Sequence, residues 1–206
     1  MKPLNTCLLI LLTLSFNSVF AATSESASPA FDAGQLTTNP VDAWITNGGT
    51  LYNQRYSPLN QINVENIDQL KGVWRTHLSG SGMQPNNSGQ GQTLVYEGVL
   101  YIVTGDNDIF AVDIDDGQFL WTYEANLIPD EVFACCGWVS RGLGMGDGKI
   151  FAGQLDGKLL ALDQISGDVI WSVQAELPSE GFSITSAPLY YDGMVITGLA
   201  GGERGI

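Results

Sequence analysis

The stretch that decides the fold covers residues 111–121, AVDIDDGQFLW, and returns over residues 161–171 as ALDQISGDVIW. The two copies lie fifty residues apart and share an alanine, an aspartate, a glycine and a tryptophan in the same order. Each copy is preceded by a strand-like run, which begins at Leu100 in the first case and at Lys149 in the second. An internal period of this size indicates stacked supersecondary units rather than one ordinary core.

Each part of the repeat has a physical role. Alternating apolar residues build a strand, and the Asp-x-x-x-Gly segment turns the chain because glycine tolerates a positive φ angle. The next strand places a large indole at a fixed point, and the small alanine lets a neighbouring sheet come close, so the tryptophan can lie across the seam. Radial stacking of four-stranded sheets is the β-propeller arrangement, and the sequence therefore predicts an all-β propeller.

Two full repeat units are expected, over residues 93–123 and 144–173, and a third begins near Ala187. The hairpin turns of the three units match one another: Glu97-Gly98, Asp147-Gly148 and Asp192-Gly193. Propellers close with about four to eight blades, and an open arc would expose the face of its last sheet. We therefore expect residues 43–206 to be the N-terminal part of a longer propeller. The alternative is a small protein that assembles several copies into a ring.

The N-terminal region predicts export. Residues 1–21 contain Lys2, an apolar run and a small residue, Ala21, at the expected cleavage point, which is the pattern of a signal peptide. The apolar run is too short to span a bilayer, so we expect secretion to the periplasm rather than anchoring. Residues 22–42 are small and polar and predict a flexible arm.

The segment before the repeats has weaker signals. We expect a short helical turn at residues 64–70, a strand carrying Trp74 at residues 72–78, and a glycine-rich loop without periodicity at residues 79–92. His77 is the only histidine of the chain and has no partner at metal-ligand spacing, so we interpret it as structural.

The charge balance restricts the partners. The chain has 206 residues with 22 acidic and 8 basic side chains, which gives a formal net charge of −14. Nucleic acids and anionic lipid surfaces are therefore poor partners, whereas a basic protein would be attracted. The acidity is equally consistent with simple solubility of a secreted protein.

The adjacent residues Cys135 and Cys136 are the only cysteines left once the leader is removed. Export places them in an oxidising compartment, where a disulfide between sequence neighbours closes a small, strained ring. Two free thiols, or pairing with cysteines beyond Ile206, are the alternatives, and the residues alone leave the choice open.

With the tryptophan repeats and the leader, this pair resembles the quinoprotein alcohol dehydrogenases, which use pyrroloquinoline quinone (PQQ). The resemblance covers nearly the whole mature chain and is carried by four stretches: residues 44–74, Cys135-Cys136 followed by Arg141, residues 185–188, and residues 201–205. It implies an eight-bladed propeller with the planar quinone near its axis. A vicinal disulfide of Cys135 and Cys136 would then lie against one face of PQQ.

The resemblance also implies roles for single residues. Arg141 resembles the arginine that reaches the quinone oxygens, which makes it a catalytic as well as a cofactor-binding residue. Thr185 resembles a threonine that binds a cofactor carboxylate. Gln90 stands where relatives usually have a glutamate near PQQ, and Ala200 stands where a serine is common. The further implied ligands are Gly201 and Gly202 for the cofactor and Glu203 for Ca²⁺, which a lanthanide replaces in some relatives.

The implied activity is the oxidation of a small alcohol to a carbonyl compound, with electrons passed to a cytochrome c. The aspartate that acts as catalytic base would lie beyond Ile206, so these residues alone are expected to be inactive. Two alternatives are a non-catalytic propeller scaffold, which would have no need of Cys135, Cys136, Arg141 and Glu203 in this arrangement, and an inactive remnant of such an enzyme.

Overall fold

The computed structural model describes residues 26–82, 87–132, 134 and 137–202. Cys135, Cys136 and Glu203 and the leader sequence of residues 1–21 lie outside them. The described residues form two four-stranded sheets, two two-stranded sheets and one short helix. The predicted all-β architecture is confirmed.

The first four-stranded sheet, blade 1, is an antiparallel meander. Its strands are β2 Leu94–Tyr96, β3 Val99–Val103, β4 Ile109–Asp113 and β5 Phe119–Tyr123. The β2–β3 turn consists of Glu97 and Gly98, both with positive φ angles of 46° and 78°. Two positive φ angles in a two-residue hairpin are the pattern of a type I′ turn, whose twist matches that of the strands.

The second four-stranded sheet, blade 2, repeats this arrangement. Its strands are β7 Gly144–Gly146, β8 Lys149–Gly153, β9 Lys158–Asp163 and β10 Val169–Gln174. A third unit begins with the hairpin of β11 Leu189–Tyr191 and β12 Met194–Ile196. The repeat units predicted at residues 93–123 and 144–173 therefore correspond to blades 1 and 2.

The two blades are joined by a tryptophan that lies on a glycine turn. The Trp121 indole, at the outer strand of blade 1, donates a hydrogen bond of 3.0 Å to the Gln164 carbonyl oxygen in blade 2. A Cβ atom at Gly167 would lie only 2.6 Å from this ring, so the turn fits against the indole only because it has no side chain. Trp74 makes the same contact with Gly117 and bonds the Ile114 carbonyl oxygen at 2.8 Å. The predicted seam is confirmed.

The main hydrophobic core lies between the two blades. Its members from blade 1 include Tyr101 and Ile109, and those from blade 2 include Ile150 and Leu162, all at most 2% exposed. Small residues are found where the sheets approach most closely: Ala111 lies directly opposite Trp121 in the β4–β5 ladder and is fully buried. One apolar cluster thus holds the two sheets face to face.

The N-terminal segment differs from the expected flexible arm. Helix α1, Ala33–Thr37, begins with a capping box formed by Asp32 and Gln35. Phe31 and Leu36 are buried in the core, at 5% and 1% exposure. Residues 26–42 therefore pack on the blades because two apolar side chains anchor them.

The same segment is bound to blade 2 through backbone hydrogen bonds. The Ser28 amide donates to Gln164 Oε1 at 2.8 Å. In return, the turn amides of Asp147 and Gly148 donate to the carbonyl oxygens of Pro29 and Ser28, at 2.9 and 2.7 Å. The segment thus crosses the hairpin turn of blade 2.

Of three local expectations, those for residues 72–78 and 79–92 are corrected and the short helical turn is confirmed. Residues 72–78 form no strand, because no described strand bonds with them, although Trp74 is placed as predicted. The helical turn expected at 64–70 is a 3₁₀ turn at Ile67–Gln69. Part of the expected loop at 79–92 is strand β1, Asn87–Gln92, which pairs in parallel with β6, Trp138–Gly142. In the described part of the chain, no helix is long and apolar enough to cross a membrane.

Candidate functional site

The parallel pair β1–β6 precedes the first strands of the two blades and brings Gln90 and Arg141 onto neighbouring strands. The register pairs Gly89 with Ser140 and then shifts before Gln92. A Cβ atom at Gly91 would lie 2.8 Å from the Cα atom of Gly142, so the two backbones can approach this closely only because of the glycine. The side chain of Gln90 is exposed beside this contact.

Arg141 joins this pair of strands to the segment that contains Thr185. Its backbone amide donates to the Thr185 carbonyl oxygen at 3.0 Å. Its guanidinium Nη1 donates to the Thr185 hydroxyl Oγ1 at 2.5 Å. The two residues that the sequence singled out, 44 positions apart, are thus in direct contact through both backbone and side chain.

The segment of residues 183–187 in turn pairs with residues 198–200. The Ser183 amide donates to the Ala200 carbonyl oxygen at 3.1 Å, and the Ala200 amide donates back to Ser183 at 2.8 Å. A Cβ atom at Gly201 would lie 2.5 Å from the Gly181 carbonyl oxygen, so this approach also requires glycine. Ala200 and Gly201, followed by the exposed Gly202, therefore run beside the segment that carries Thr185.

The loop between β8 and β9 fixes the position of Thr185. The Ile184 amide donates to the Gln154 carbonyl oxygen at 3.1 Å, and the Ile184 side chain is completely buried. A Cβ atom at Gly153 would lie 2.1 Å from Ile184 Cγ2. The neighbour of Thr185 is thus fixed both by a hydrogen bond and by close packing.

The electrostatics of this site are cationic in an acidic chain. The ion pairs of the described residues are Lys149–Asp147 and Lys158–Asp156, so no carboxylate among those residues neutralises Arg141. An exposed guanidinium next to a hydroxyl and closely packed glycine backbones suits a flat, anionic ligand. The donors present therefore fit a planar quinone that carries carboxylates.

The predicted site also includes two cysteines and a glutamate. Cys135, Cys136 and Glu203 lie outside the described residues. Within the described ranges, no three His, Cys, Asp or Glu side chains form a group that could hold a metal ion. A cavity of about 730 Å³ lies elsewhere, between α1 and blade 1, and is lined by Phe31 and Tyr96. Its lining includes none of Gln90, Arg141 and Thr185.

Sequence reasoning missed Gly91 and Gly142, whose lack of a side chain permits the contact between β1 and β6. A signal for Gly91 was available, because glycine and glutamine alternate over residues 89–92, immediately before the first repeat. It also missed Asp108, a carboxylate only 1% exposed in the loop between β3 and β4. Its partners are 27 and 17 residues away and leave no periodic pattern.

Comparison with known protein families gives a match over most of the chain. Residues 44–204 match the family model described as PQQ: glucose/ethanol/alcohol dehydrogenase, beta-propeller domain. This match covers the two blades, the β1–β6 pair, and both Arg141 and Thr185. It confirms the propeller assignment made from the repeats.

Individual relatives agree with this match. The chain is 40% identical over 162 residues to the quinoprotein alcohol dehydrogenase PedH of Pseudomonas putida, covering 79% of this chain and 27% of the relative. It is 35% identical over 207 residues to the quinohemoprotein alcohol dehydrogenase ADH IIB of Pseudomonas putida, covering 100% of this chain and 28% of the relative. The chain thus spans just over a quarter of the length of these two relatives.

A solved structure supports the same fold. A europium-containing methanol dehydrogenase superposes with a TM-score of 0.75 and 32% sequence identity. The superposition covers 84% of this chain and 30% of that structure.

Proposed function

Because the chain belongs to the glucose, ethanol and alcohol dehydrogenase β-propeller family, we propose that it supplies part of the cofactor site of a PQQ-dependent alcohol dehydrogenase. The observation that carries the proposal is the direct contact of Arg141 with Thr185. Both residues were singled out from the sequence for cofactor binding, and the fold brings them together at one surface.

Arg141 would hold the cofactor and assist its reduction. When bound, the quinone accepts two electrons from the alcohol carbon. The guanidinium of Arg141 would stabilise negative charge on the quinone oxygens. Arg141 is suited to this role because its backbone amide is anchored to the Thr185 carbonyl oxygen and its charge has no carboxylate partner among the described residues.

Thr185 would orient a cofactor carboxylate. Its Oγ1 accepts a hydrogen bond from Arg141 Nη1, so its own hydroxyl proton points elsewhere and can be donated. A carboxylate bound beside Arg141 would be its natural acceptor. Gln90, from β1, and the segment of Ala200, Gly201 and Gly202, which runs beside Thr185, would border the same ligand.

The remaining parts of the proposal rest on the sequence and on the relatives. Cys135 and Cys136 would form the platform for the quinone, and Glu203 would bind Ca²⁺ or a lanthanide. The europium in a related methanol dehydrogenase supports a metal ion in such proteins. The leader sequence supports a periplasmic location, and the quinohemoprotein relative supports a haem protein such as cytochrome c as acceptor of the electrons from a small alcohol.

The proposal can be tested by PQQ binding to the full-length protein that carries these residues. We expect the wild-type protein to bind PQQ, and binding is measured by the quenching of tryptophan fluorescence. Arg141→Ala removes a charge-assisted contact and should raise the dissociation constant about tenfold or more. Arg75→Ala is the matched control, because Arg75 is also exposed but lies next to Trp74 at the outer seam. Its dissociation constant should not change.

Thr185 provides a second, finer test. Thr185→Val keeps the shape of the side chain and removes the hydroxyl, whereas Thr185→Ser keeps the hydroxyl. We expect weaker PQQ binding in the first variant and near-normal binding in the second. Failure of the wild-type protein to bind PQQ, or equal binding by the Arg141 and Arg75 variants, would refute the proposed function.

A further inference from the structure

The loop between β3 and β4 contains a buried carboxylate that the proposed function does not use. Asp108 is 1% exposed and stands at the start of β4. Burial of a charged group is costly unless hydrogen bonds satisfy it, so its partners indicate what it does. In the repeat, the corresponding position of blade 2 is Lys158, which is partly exposed and pairs with Asp156. The blade fold itself therefore does not require an aspartate here.

Asp108 binds two segments that are distant in sequence. Its Oδ2 accepts a hydrogen bond from the Ser81 amide, and the Ser81 hydroxyl donates to the same carboxylate, each at 2.8 Å. Its Oδ1 accepts from the Ala125 amide at 2.8 Å. A Cβ atom at Gly80 would lie 2.2 Å from Oδ2, so the first segment is pressed against the carboxylate. Both carboxylate oxygens are thus used as acceptors.

Each of these segments leads into one strand of the candidate site. Ser81 precedes β1, which carries Gln90, and Ala125 precedes β6, which carries Arg141. The link to β6 is also supported by packing. Trp138, the first residue of β6, lies in an apolar cluster with Leu127, against which Ala125 packs.

The preceding residue, Asn107, reinforces this arrangement from the same loop. Its Oδ1 accepts a hydrogen bond of 2.8 Å from the amide of Leu155, and its side chain is completely buried. Leu155 belongs to the cluster that contains Trp138. Asn107 therefore fixes the far side of the cluster on which β6 begins.

From these contacts we infer that Asp108 is a positioning residue for the cofactor site. By binding Ser81 and Ala125 on one carboxylate, it holds together the two segments that lead into β1 and β6, the strands that carry Gln90 and Arg141. This inference rests on the proposed function for its effect on PQQ. The positioning itself can be measured without the cofactor.

The test compares two aspartates: both carboxylate oxygens of Asp108 accept hydrogen bonds, whereas those to Asp163 go to one oxygen. In Asp108→Asn, an amide NH₂ group must face either the Ser81 or the Ala125 amide, and donor would meet donor. Asp163 is the control. Asp163 is the last residue of β9 in blade 2. Its Oδ1 accepts hydrogen bonds from the amides of Ile165 and Ser166, both at 2.9 Å. Asp163→Asn can keep both bonds, because the amide oxygen accepts as Oδ1 does.

Two measurements on the full-length protein decide the inference. Hydrogen exchange of the apoprotein should become faster at residues 79–82 and 125–127 in Asp108→Asn and stay unchanged there in Asp163→Asn. PQQ titration should show a dissociation constant raised about tenfold in Asp108→Asn, with no change in the control. Ser81→Ala, which removes only the hydroxyl donor, should show a smaller effect in the same direction and guards against a misfolded Asp108 variant.

The outcomes separate this inference from the proposed function. If exchange and PQQ affinity both respond as expected, the positioning role is supported. Unchanged exchange at the two segments would overturn it, and so would faster exchange with unchanged PQQ affinity, because Asp108 would then only stabilise the blade. If the wild-type protein binds no PQQ, the proposed function fails, and a cofactor role for Asp108 fails with it. Hydrogen exchange would still decide whether Asp108 holds both segments.

Discussion

The contact between Trp121 and Gly167 allows a quantitative prediction for the seam between blades. Gly167 has a φ angle of 76°, and a Cβ atom there would lie 2.6 Å from the indole. Gly193 has a φ angle of 75°, but no atom lies within 4 Å of the corresponding Cβ position. Replacing each glycine with alanine therefore imposes the same backbone strain and differs in the indole contact.

The magnitudes follow from these two terms. A non-glycine residue at such a φ angle costs about 1 kcal/mol, which is the whole effect expected for Gly193→Ala. Gly167→Ala should cost about 1–3 kcal/mol more, because overpacking forces the indole to move. Trp121 cannot move freely, since it is only 8% exposed and its indole N–H is bonded to the Gln164 carbonyl oxygen.

The assay is thermal and urea unfolding of the two variants and the wild-type protein, followed by tryptophan fluorescence. The melting temperature of Gly167→Ala should lie about 2–12 °C below that of Gly193→Ala. Equal melting temperatures would show that the indole does not couple the blades, and the interpretation of the repeat as a docking motif would fail.

Three further perturbations test the structure. Burial raises the pKa of Tyr123 above its ordinary value of 10.0. The neutral phenol therefore contributes its full share to the unfolding free energy below pH 10.0, and this contribution is lost as the pH rises through the raised pKa. Tyr123→Phe should flatten this fall in urea curves recorded at alkaline pH. Asn107→Gly tolerates the φ angle of 66° but leaves the buried Leu155 amide without its acceptor, which should cost about 1–3 kcal/mol in urea unfolding. The exposed Asn126, with a φ angle of 47°, should tolerate the same change. Gln164→Leu removes the acceptor of the Ser28 amide and the donor to the Tyr101 hydroxyl, so hydrogen exchange at Ser28 should accelerate, whereas Gln174→Leu on the exposed strand β10 should leave it unchanged.

The sequence was most informative where one interaction occurs twice. Trp121 and Gly167 were predictable as a pair because the same spacing recurs, and the type I′ turns could be identified from acidic residue–glycine pairs at matching positions. Arg141 and Thr185 were identified from the family resemblance. Their contact was not predictable, because it joins residues from different units.

Interactions that occur once were missed or misjudged. Strand β1 consists of glycine and polar residues and has no apolar alternation, so its pairing with β6 left no strand pattern in the sequence. Residues 72–78 do alternate, yet no described strand pairs with them, and alternation alone does not form a sheet. The order in residues 26–42 depends on Phe31 and Leu36, the large apolar side chains of this stretch that are buried. The capping box of Asp32 and Gln35 was a readable signal of the helix.

The seam has a consequence for how the protein loses its structure. Because each blade contacts chiefly the blades next to it in sequence, the cooperativity of unfolding depends on the contacts between adjacent blades, as in a one-dimensional array. Weakening the Trp121 junction should therefore loosen the coupling between the blades on its two sides and broaden the unfolding transition while lowering its midpoint. A propeller of this kind can then survive damage in one blade as long as its junctions hold.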